Sequence, residues 1–583
     1  MSKLTESVDE QPIGNFFSAV AAFRIPYFQR AYRWKKAQFT TFMKDVTAIV
    51  DEEDSVHFLG AIITHHAYSP SGQPRLYDIV DGQQRLATTT IALAAIAKVL
   101  GESDDEELVS AGADILSAYI YITQPNLKLP SNLKFYPSKE DRKQFREIIE
   151  DVLSVQALMQ ALNSPKMRYL PVAGKPKGAM LNQYRNALRT FKALAATEPS
   201  LLLKYRDAIA GALTVVEIAI KDPTNSSKIF ERLNYRGVKV STGDLVRNDI
   251  FSRLAASDAA EIDAIHDNEW EPFYKRFPNE RTFESYFFPL GLISNPNVKK
   301  SDVFAGFQDK WREDEATPSS IIEELSLYQE PYLVLASGTP SEDLPKEINQ
   351  ALVSLHQSNA PSSVYPFVMQ VARASMTGSI EVLLASELIV AVENFLVRRA
   401  ICGFEPTGLH AAFKGLWGDL LESDDISVSR ISSSLRSRRT LQVVSDEEVL
   451  NSAAVRPVYG SKVLGFVLWR KELALPGDHP EERFEIEHVL PRSYKAHWSD
   501  VVTTEEHDEL LDTIGNLVLL SPPENKKAKN DPYSKKKVRY AKRSMFAMPR
   551  LFAEEYGEWN AELIRKRSAD LGAWIVSTWP DLA

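Results

Sequence analysis

The segment RLYDIVDGQQRLATTTIALAAIAKVL, residues 75–100, constrains the fold of this chain more than any other stretch. Its first part is a β-like run that ends at Asp81 and Gly82, and the remainder has the pattern of a helix. A second β-like run, HFLGAIITHHAY, precedes it across the turn SPSGQP. A strand that leads directly into a long helix predicts an α/β unit in the N-terminal part.

The rest of the chain is predicted to be mainly helical. A length of 583 residues exceeds one typical domain, and apolar residues recur at helical spacing from about 255 to 470. LTVVEIAI (213–220) is a further predicted strand, and ELALPGDHPEERF (472–484) is the best linker candidate. We therefore predict a mixed α+β, multidomain protein with an N-terminal domain 1–255, an α-helical domain 256–470 and a C-terminal domain 471–583.

The composition of the chain argues against several cellular locations and classes of partner. The N-terminal residues contain no apolar signal region, and the most apolar window (88–100) is too short to span a bilayer. The single cysteine, Cys402, excludes an internal disulfide framework and a cysteine-rich zinc site. We expect a cytoplasmic protein without a membrane partner. The net charge of −10 argues against a general polyanion binder.

A group of polar residues in the C-terminal domain suggests a catalytic site. Glu487 and His488 end the β-like run FEIEH, and Asn516 opens the apolar strand LVLL. Asn525 and Asn530 follow near the start of a predicted helix. Strand, strand and helix with these residues form a ββα-metal arrangement. Each residue taken alone has a simpler explanation, since Gly-Asn is usually turn chemistry and Asn525 could be an N-cap.

This arrangement suits phosphodiester cleavage. His488 can take a proton from water, because an unperturbed histidine has a pKa near 6.5. Glu487 and Asn525 offer hard oxygen ligands for one divalent ion, Mg²⁺ or Mn²⁺. Asn516 is expected to hydrogen-bond across the hairpin and hold the loop that presents the histidine.

A basic segment follows the same residues. The stretch 525–543 holds nine basic residues and one acidic residue. It could be a solvated helix face, but charge concentrated beside a phosphodiesterase site predicts contact with the DNA backbone. The predicted DNA-binding residues are Lys526, Lys527, Lys529, Lys535, Lys536 and Lys537.

The N-terminal α/β unit predicts a nucleotide site. A helix N-terminus presents free N–H groups to phosphate, and Gly82 permits close approach of the backbone. Asp81, Gly82, Gln83, Gln84 and Arg85 lie at this helix start, while Gln29 and Arg30 belong to a basic and aromatic segment and Asn234 to a third polar patch. The segment around Gln29 and Arg30 equally fits a packed segment with exposed arginines, and Asn234 fits a turn. No P-loop motif is present.

The motifs at both ends resemble one family. IEHVLP, IGNLVLL and the following N…N…Y…K resemble the HNH nuclease domain of GmrSD-type, modification-dependent restriction enzymes. PYFQRAYRW, FLGAII, IVDGQQRLATTT and FERLNYRG resemble the ParB/sulfiredoxin-like domain of the same family. The resemblance implies sensing of modified DNA, Glu487 and Asn525 as metal ligands, and His488 as general base. It also implies binding and hydrolysis of a nucleoside triphosphate, with these predicted nucleotide-binding residues: Asp81, Gly82, Gln83, Gln84 and Arg85 as the core of the pocket, and Gln29, Arg30 and Asn234 as its walls. It leaves open whether Asn525 or Asn530 is the second ligand.

Three functions are compatible with these features. The first is a nucleotide-regulated endonuclease that cuts modified phage DNA and spares host DNA, with a homodimer as one way to cut both strands. The second is a nucleotide-gated DNA-binding protein with an inactive HNH domain. The third is a nickase or RNase triggered by infection. The complete set Glu487, His488, Asn516 and Asn525 favours the endonuclease.

Overall fold

The computed structural model describes residues 5–18, 21–26, 29, 31–52, 54–67, 69, 71–122, 132–162, 177–220, 241–254, 259–438, 441–479, 483–493 and 498–582. Arg30 and Asn234, two predicted nucleotide-binding residues, lie outside these ranges. Contacts divide the chain into two units, residues 1–271 and 272–583. The predicted three-domain division remains a prediction.

A six-stranded mixed sheet organises the first unit. The strands are β1 (Thr5–Pro12), β2 (Ala21–Arg24), β3 (His57–Ala67), β4 (Arg75–Asp81), β5 (Phe135–Tyr136) and β6 (Leu213–Ile220). Their order across the sheet is β1-β6-β3-β4-β2-β5. β3 pairs with β4 antiparallel and with β6 parallel, which places the end of β4 in the middle of the sheet.

The first unit also contains helices, and the last of them, Glu271–Lys275, extends into the second unit. They are α1 (Ile13–Ser18), α2 (Lys36–Val50), α3 (Gln83–Gly101), α4 (Glu106–Ile115), α5 (Arg142–Leu153), α6 (Gln156–Leu162), α7 (Ala179–Ala195), α8 (Leu201–Asp207), α9 (Thr242–Ser252), α10 (Ala259–Ile265) and α11 (Glu271–Lys275). Single π-helical turns occur at Leu116–Ile120, Ala208–Ala212 and His266–Trp270. α3 is buried along almost its whole length, as expected of a helix that is apolar on all sides.

The second unit begins with helices alone. They are α12 (Glu280–Ser294), α13 (Val303–Glu313), α14 (Pro318–Ser326), α15 (Gln329–Ser337), α16 (Lys346–Gln357), α17 (Tyr365–Met376), α18 (Val382–Ile401), α19 (Leu409–Phe413), α20 (Leu416–Glu422), α21 (Val428–Arg436), α22 (Asp446–Val455) and α23 (Leu464–Leu473). Short 3₁₀ turns lie at Lys300–Asp302 and Ser362–Val364. Among the described helices, none combines the length and apolar character needed to cross a bilayer.

The C-terminal part of this unit contains a two-stranded sheet and further helices. The elements are β7 (Glu485–His488), α24 (Thr504–Leu510), a 3₁₀ turn (Ile514–Asn516), β8 (Leu517–Leu520), α25 (Pro522–Ala528), α26 (Tyr533–Arg543), α27 (Ala547–Glu555) and α28 (Ala561–Thr578). One hydrophobic core joins Val397 and Ile401 of α18 to Trp498, Trp559 and Trp579. The core therefore runs across the predicted boundary at residue 470.

Candidate functional site

β7 and β8 form the base of the C-terminal site. They pair antiparallel, and His488 lies opposite Leu517. Ser521 follows β8 directly and forms a capping box with Glu524, so α25 starts at once. This local sequence produces the order strand, strand, helix, and it brings the ends of β7 and α25 close together.

His488 is held by a carboxylate that sequence reasoning missed. Its Nε2 lies 2.8 Å from Oδ1 of Asp512, and its ring packs against Tyr459 with centroids 4.4 Å apart. Burial lowers the pKa of His488, although the neighbouring Asp512 opposes that shift. Asp512 lies 24 residues from His488 in the sequence, which gives no local signal for this contact.

Asn516 holds the loop that follows the histidine. Its side chain is fully buried. The amide oxygen accepts a hydrogen bond from Leu490 N at 2.7 Å, and the amide nitrogen donates to Leu490 O and Leu511 O. Trp559 Nε1 also donates to the same oxygen at 3.2 Å. These bonds fix the backbone two residues beyond His488.

Glu487 belongs to a buried ion pair. Lys536 Nζ donates to its Oε1 at 2.6 Å and to His488 O at 2.7 Å, and Tyr540 OH lies 3.3 Å from the same oxygen. Burial raises the pKa of Glu487 and lowers that of Lys536, while their contact opposes both shifts. The prediction of Lys536 as a DNA-binding residue is wrong, because its side chain is 0% exposed.

The alternation of strand side chains separates Glu487 from His488. Adjacent residues of a strand point to opposite faces, so Glu485 and Glu487 share the face opposite to His488. On that face Asn525 Nδ2 donates to Glu485 Oε2 at 2.8 Å. Glu485 is a second carboxylate that sequence reasoning missed. The oxygens of Glu485, Glu487 and Asn525 are of the hard type that Mg²⁺ and Mn²⁺ prefer.

Asn530 is the other asparagine predicted as a metal ligand. It follows the end of α25 and is half-buried, and the preceding Lys529 has φ +43°. A lysine in this backbone region is uncommon. The structure brings Asn525 into contact with Glu485, a carboxylate of β7.

The remaining predicted DNA-binding lysines lie at the surface. Lys526, Lys527, Lys529 and Lys535 are exposed, and Lys537 is half-buried. A cavity of about 210 Å³ beside them is lined by Lys527, Arg539 and Arg543. These residues form a basic surface on α25 and α26.

The end of β4 and the start of α3 form the N-terminal site. Gly82 joins them with φ +93°, and a Cβ there would lie 2.9 Å from Ile62 Cγ1. Only glycine meets both requirements without strain. Asp81 to Arg85 thus lie together at a helix N-terminus, as the sequence predicts.

Several side chains of this site form hydrogen bonds with the backbone. Gln29 Nε2 donates to Val80 O at 2.6 Å, and Arg85 Nη1 donates to Ala61 O at 3.1 Å. Gln84 accepts from Arg33 N at 2.8 Å and donates to Ala31 O. Gln84 therefore holds the segment 31–33 in place.

Gln83 and Asp141 line a small polar cavity beside α3. Gln83 is 9% exposed, and its Oε1 has no hydrogen-bond partner in the described part of the chain. Burial raises the pKa of Asp141 to about 6, although Tyr32 N donates to it at 2.6 Å. Sequence reasoning missed Asp141, which comes from a distant segment.

A separate histidine–carboxylate group lies at His266, Asp267 and Glu271. The possible ligand atoms of these three side chains lie within 4.8 Å of one another, a spacing that would allow them to hold a metal ion. Lys139 Nζ lies 2.8 Å from Asp267, so part of its charge is already balanced. The predicted metal ligands lie elsewhere, in the C-terminal part.

Comparisons with known families match both ends of the chain. The model of the GmrSD restriction endonuclease N-terminal domain matches residues 13–251, and that of the C-terminal domain of GmrSD restriction endonucleases matches residues 444–574. Together the matches cover more than half of the chain and include both sites. The chain belongs to the GmrSD family of restriction endonucleases.

The family accounts for the coarse function. GmrSD membership supports a restriction endonuclease of the type IV kind, for which DNA is the implied partner. The C-terminal match contains His488, Asn516 and Asn525, and the N-terminal match contains Asp81 to Arg85. No curated protein matches the chain.

Proposed function

We propose that this GmrSD protein is a nucleotide-regulated endonuclease that cuts modified DNA with His488 as general base. The observation that carries the proposal is the 2.8 Å contact between His488 and Asp512 at the end of β7. A histidine held by a carboxylate is a recurrent way to orient a base. It occurs here inside a strand–strand–helix unit of a restriction endonuclease.

The proton transfer uses the two ring nitrogens differently. Nε2–H of His488 donates to Asp512, which leaves the lone pair of Nδ1 to accept a proton from water. The lowered pKa keeps the imidazole neutral near pH 7, as a base requires. The water oxygen then bonds to phosphorus while the bond from phosphorus to the leaving oxygen breaks. Asp512 stabilises the resulting imidazolium.

The proposed carboxylate ligands leave β7 on the face opposite to His488, so the ion would have to lie past the end of the strand to reach the phosphate that is attacked at His488. Glu485, Glu487 and Asn525 would hold Mg²⁺ or Mn²⁺, with Asn530 as the alternative amide. Such an ion, when bound, stabilises negative charge on the phosphate and the leaving oxygen. Lys536 balances the charge of Glu487 from within the core. Asn516 positions the loop after His488 and is not expected to contact DNA.

The basic surface of α25 and α26 fits the substrate. Exposed lysines that neutralise phosphates supply affinity that does not depend on base sequence. Their position directly after β8 would place the DNA backbone beside the site. The acidic remainder of the chain limits unselective binding elsewhere.

The nucleotide is proposed to bind at the start of α3. Free N–H groups of the first turn and the helix dipole favour phosphate there. Gly82 makes the turn from β4 into α3, and Gln83 Oε1, which has no partner among the described residues, can accept a hydrogen bond from a hydroxyl or N–H group of the nucleotide. Bound nucleoside triphosphate would then regulate cutting by the second unit.

A cleavage assay tests this function. Purified protein is incubated with Mg²⁺ or Mn²⁺ and paired phage DNAs, modified and unmodified, with and without nucleoside triphosphate. We expect cutting of modified DNA that His488→Ala abolishes and that His410→Ala, an exposed histidine of α19, retains. Cutting that persists in His488→Ala would reject the assigned base.

Two further experiments distinguish the endonuclease from the other functions considered. RNA added as competitor and as substrate distinguishes an RNase, and a supercoiled plasmid distinguishes nicking from double-strand cutting. Binding of modified DNA without cutting under any nucleotide would indicate a nucleotide-gated DNA-binding protein instead.

A further inference from the structure

A large cleft of the second unit adjoins the His488 site. Its volume is about 480 Å³, and its walls come from residues 358–361, 396–409 and 456–463. This volume falls in the range of roughly 300–1,000 Å³ that is usual for small-ligand sites. No residue of the cleft belongs to the predicted catalytic, metal, nucleotide or DNA-binding sets.

Tyr459 is common to the cleft and the catalytic site. Its ring lines the cleft, packs against His488 and lies 4.3 Å from the guanidinium of Arg492. Asp512 O accepts from Val458 N at 2.8 Å and from Tyr459 N at 3.3 Å. The side chain of Asp512 contacts His488 and its carbonyl oxygen holds the cleft wall, so the cleft and the His488 site lie side by side.

The lining has the chemistry of a nucleotide site. Tyr459 and Phe404 leave 38% and 39% of their surface exposed, which offers aromatic surface to a base. Part of each ring is already covered, since His488 and Arg492 pack against Tyr459 and the guanidinium of Arg399 lies over Phe404. Three cations, Arg399, Arg456 and Lys462, line the same space, against one acidic residue, Glu405.

The positive charge of the two arginines is not cancelled locally. Arg399 donates to Gln442 O and to Glu405 O, and Arg456 donates to Cys402 O. These partners are backbone carbonyls, and within the described ranges neither arginine takes part in an ion pair. Lys462 is exposed at the rim. The cleft therefore favours an anionic aromatic ligand.

We propose that this cleft receives one nucleotide of the DNA strand, turned out of the duplex beside the phosphate that is cut. The base lies against Phe404 and Tyr459, and its phosphate lies near Lys462. The volume leaves room for a substituent on the base, so the cleft reads the modification at the site of cleavage. The inference rests on the proposed nuclease function, because it takes His488 as the point of cutting.

Binding to mismatched DNA tests this inference. An unpaired nucleotide costs less to extrude than a paired one, so proteins that flip a base bind mismatches more tightly. The cut position is first mapped with wild-type protein on the DNA that it cuts. The dissociation constants of His488→Ala protein are then compared for two duplexes, one fully paired and one mismatched beside that position. We expect the mismatched duplex to bind roughly tenfold more tightly.

Cleft variants identify where the extruded nucleotide lies. In the His488→Ala background, Phe404→Ala and Lys462→Glu should remove the preference for the mismatch. Lys346→Glu, an exposed lysine of α16, is the matched control and should keep it. The inference would be overturned if the His488→Ala protein bound both duplexes with equal affinity. It would also be overturned if both cleft variants kept the preference for the mismatched duplex.

The two proposals fail in different ways. Wild-type protein that cuts DNA but shows no mismatch preference would overturn the cleft assignment and leave the nuclease intact. Wild-type protein that cuts no DNA would overturn the nuclease first. Cleft variants that weaken binding to both duplexes equally would indicate a general backbone contact, which also contradicts an extruded base.

Discussion

Asp512 Oδ1 lies 2.8 Å from Nε2 of His488 and so ties the end of β7 to the loop before β8. The same residue accepts two backbone hydrogen bonds from Val458 and Tyr459. One aspartate therefore orients the proposed base and anchors the wall of the neighbouring cleft. A change at Asp512 should affect catalysis more than affinity for DNA.

Asp512→Asn should lower the rate of cutting by about 10² or more while DNA binding changes little. The amide no longer selects the tautomer with a free Nδ1 and cannot stabilise the imidazolium. Single-turnover cleavage and a binding titration on the same DNA measure the two effects. Asp508→Asn, an exposed aspartate of α24, is the control. A rate equal to wild type would exclude a role for Asp512 in orienting His488.

The pH profile of cutting should have its acid limb below pH 6.5. Only the neutral imidazole accepts a proton, and burial lowers the pKa of His488, so activity is lost only as pH falls through that lowered value. In Asp512→Asn the limb should move further down, because the group that raises the pKa is gone. Rates of single-turnover cleavage between pH 5 and pH 8 check this. An acid limb above pH 6.5 would contradict the assignment.

Lys536→Ala should destabilise the second unit by about 3–5 kcal/mol, because it leaves the buried carboxylate of Glu487 without its partner. Lys535→Ala changes an exposed neighbour on the same helix and should stay within about 0.5 kcal/mol of wild type. Denaturant unfolding of the full chain, followed by tryptophan fluorescence, compares the two. Similar stability of both variants would show that the pair contributes little.

The exposed lysines should act through charge alone. Lys526→Ala and Lys527→Ala should each reduce the slope of log affinity against log salt by about 1, if each contacts one phosphate. Lys346→Ala, an exposed lysine of α16, should leave the slope unchanged. Titrations at several salt concentrations give the slopes. A slope unchanged in both variants would place the DNA elsewhere.

Gly82→Ala should destabilise the first unit by about 1–3 kcal/mol and weaken nucleotide binding. An alanine at φ +93° is strained, and its Cβ would press on Ile62. Gly211→Ala is the matched control, since no atom lies within 4 Å of a Cβ there. It should be neutral or stabilising by up to about 1 kcal/mol. Thermal unfolding and nucleotide titration test both, and equal behaviour would contradict the strain argument.

Strong periodic patterns predicted several elements correctly. The segment after Gly82 is the helix α3, LTVVEIAI is the strand β6, and the helical spacing from about 255 to 470 corresponds to the helices from α10 to α23. The strands β1, β2 and β5 were not predicted. β1 carries many polar residues and lies at one edge of the sheet, and β5 is two residues long at the other edge. Such strands are formed by pairing with distant segments, which local patterns do not report.

The sequence by itself determined the residue types of the site, the family and the order of strand, strand and helix. Glu487, His488, Asn516 and Asn525 were predicted as a site from their residue types and their positions at the ends of predicted strands and a predicted helix. Only the tertiary structure decided which groups meet. Lys536 lies 49 residues from Glu487 and is buried, although its neighbours in the basic segment are exposed. A pattern of charges cannot show which side of a helix faces the core, because packing against distant strands decides it.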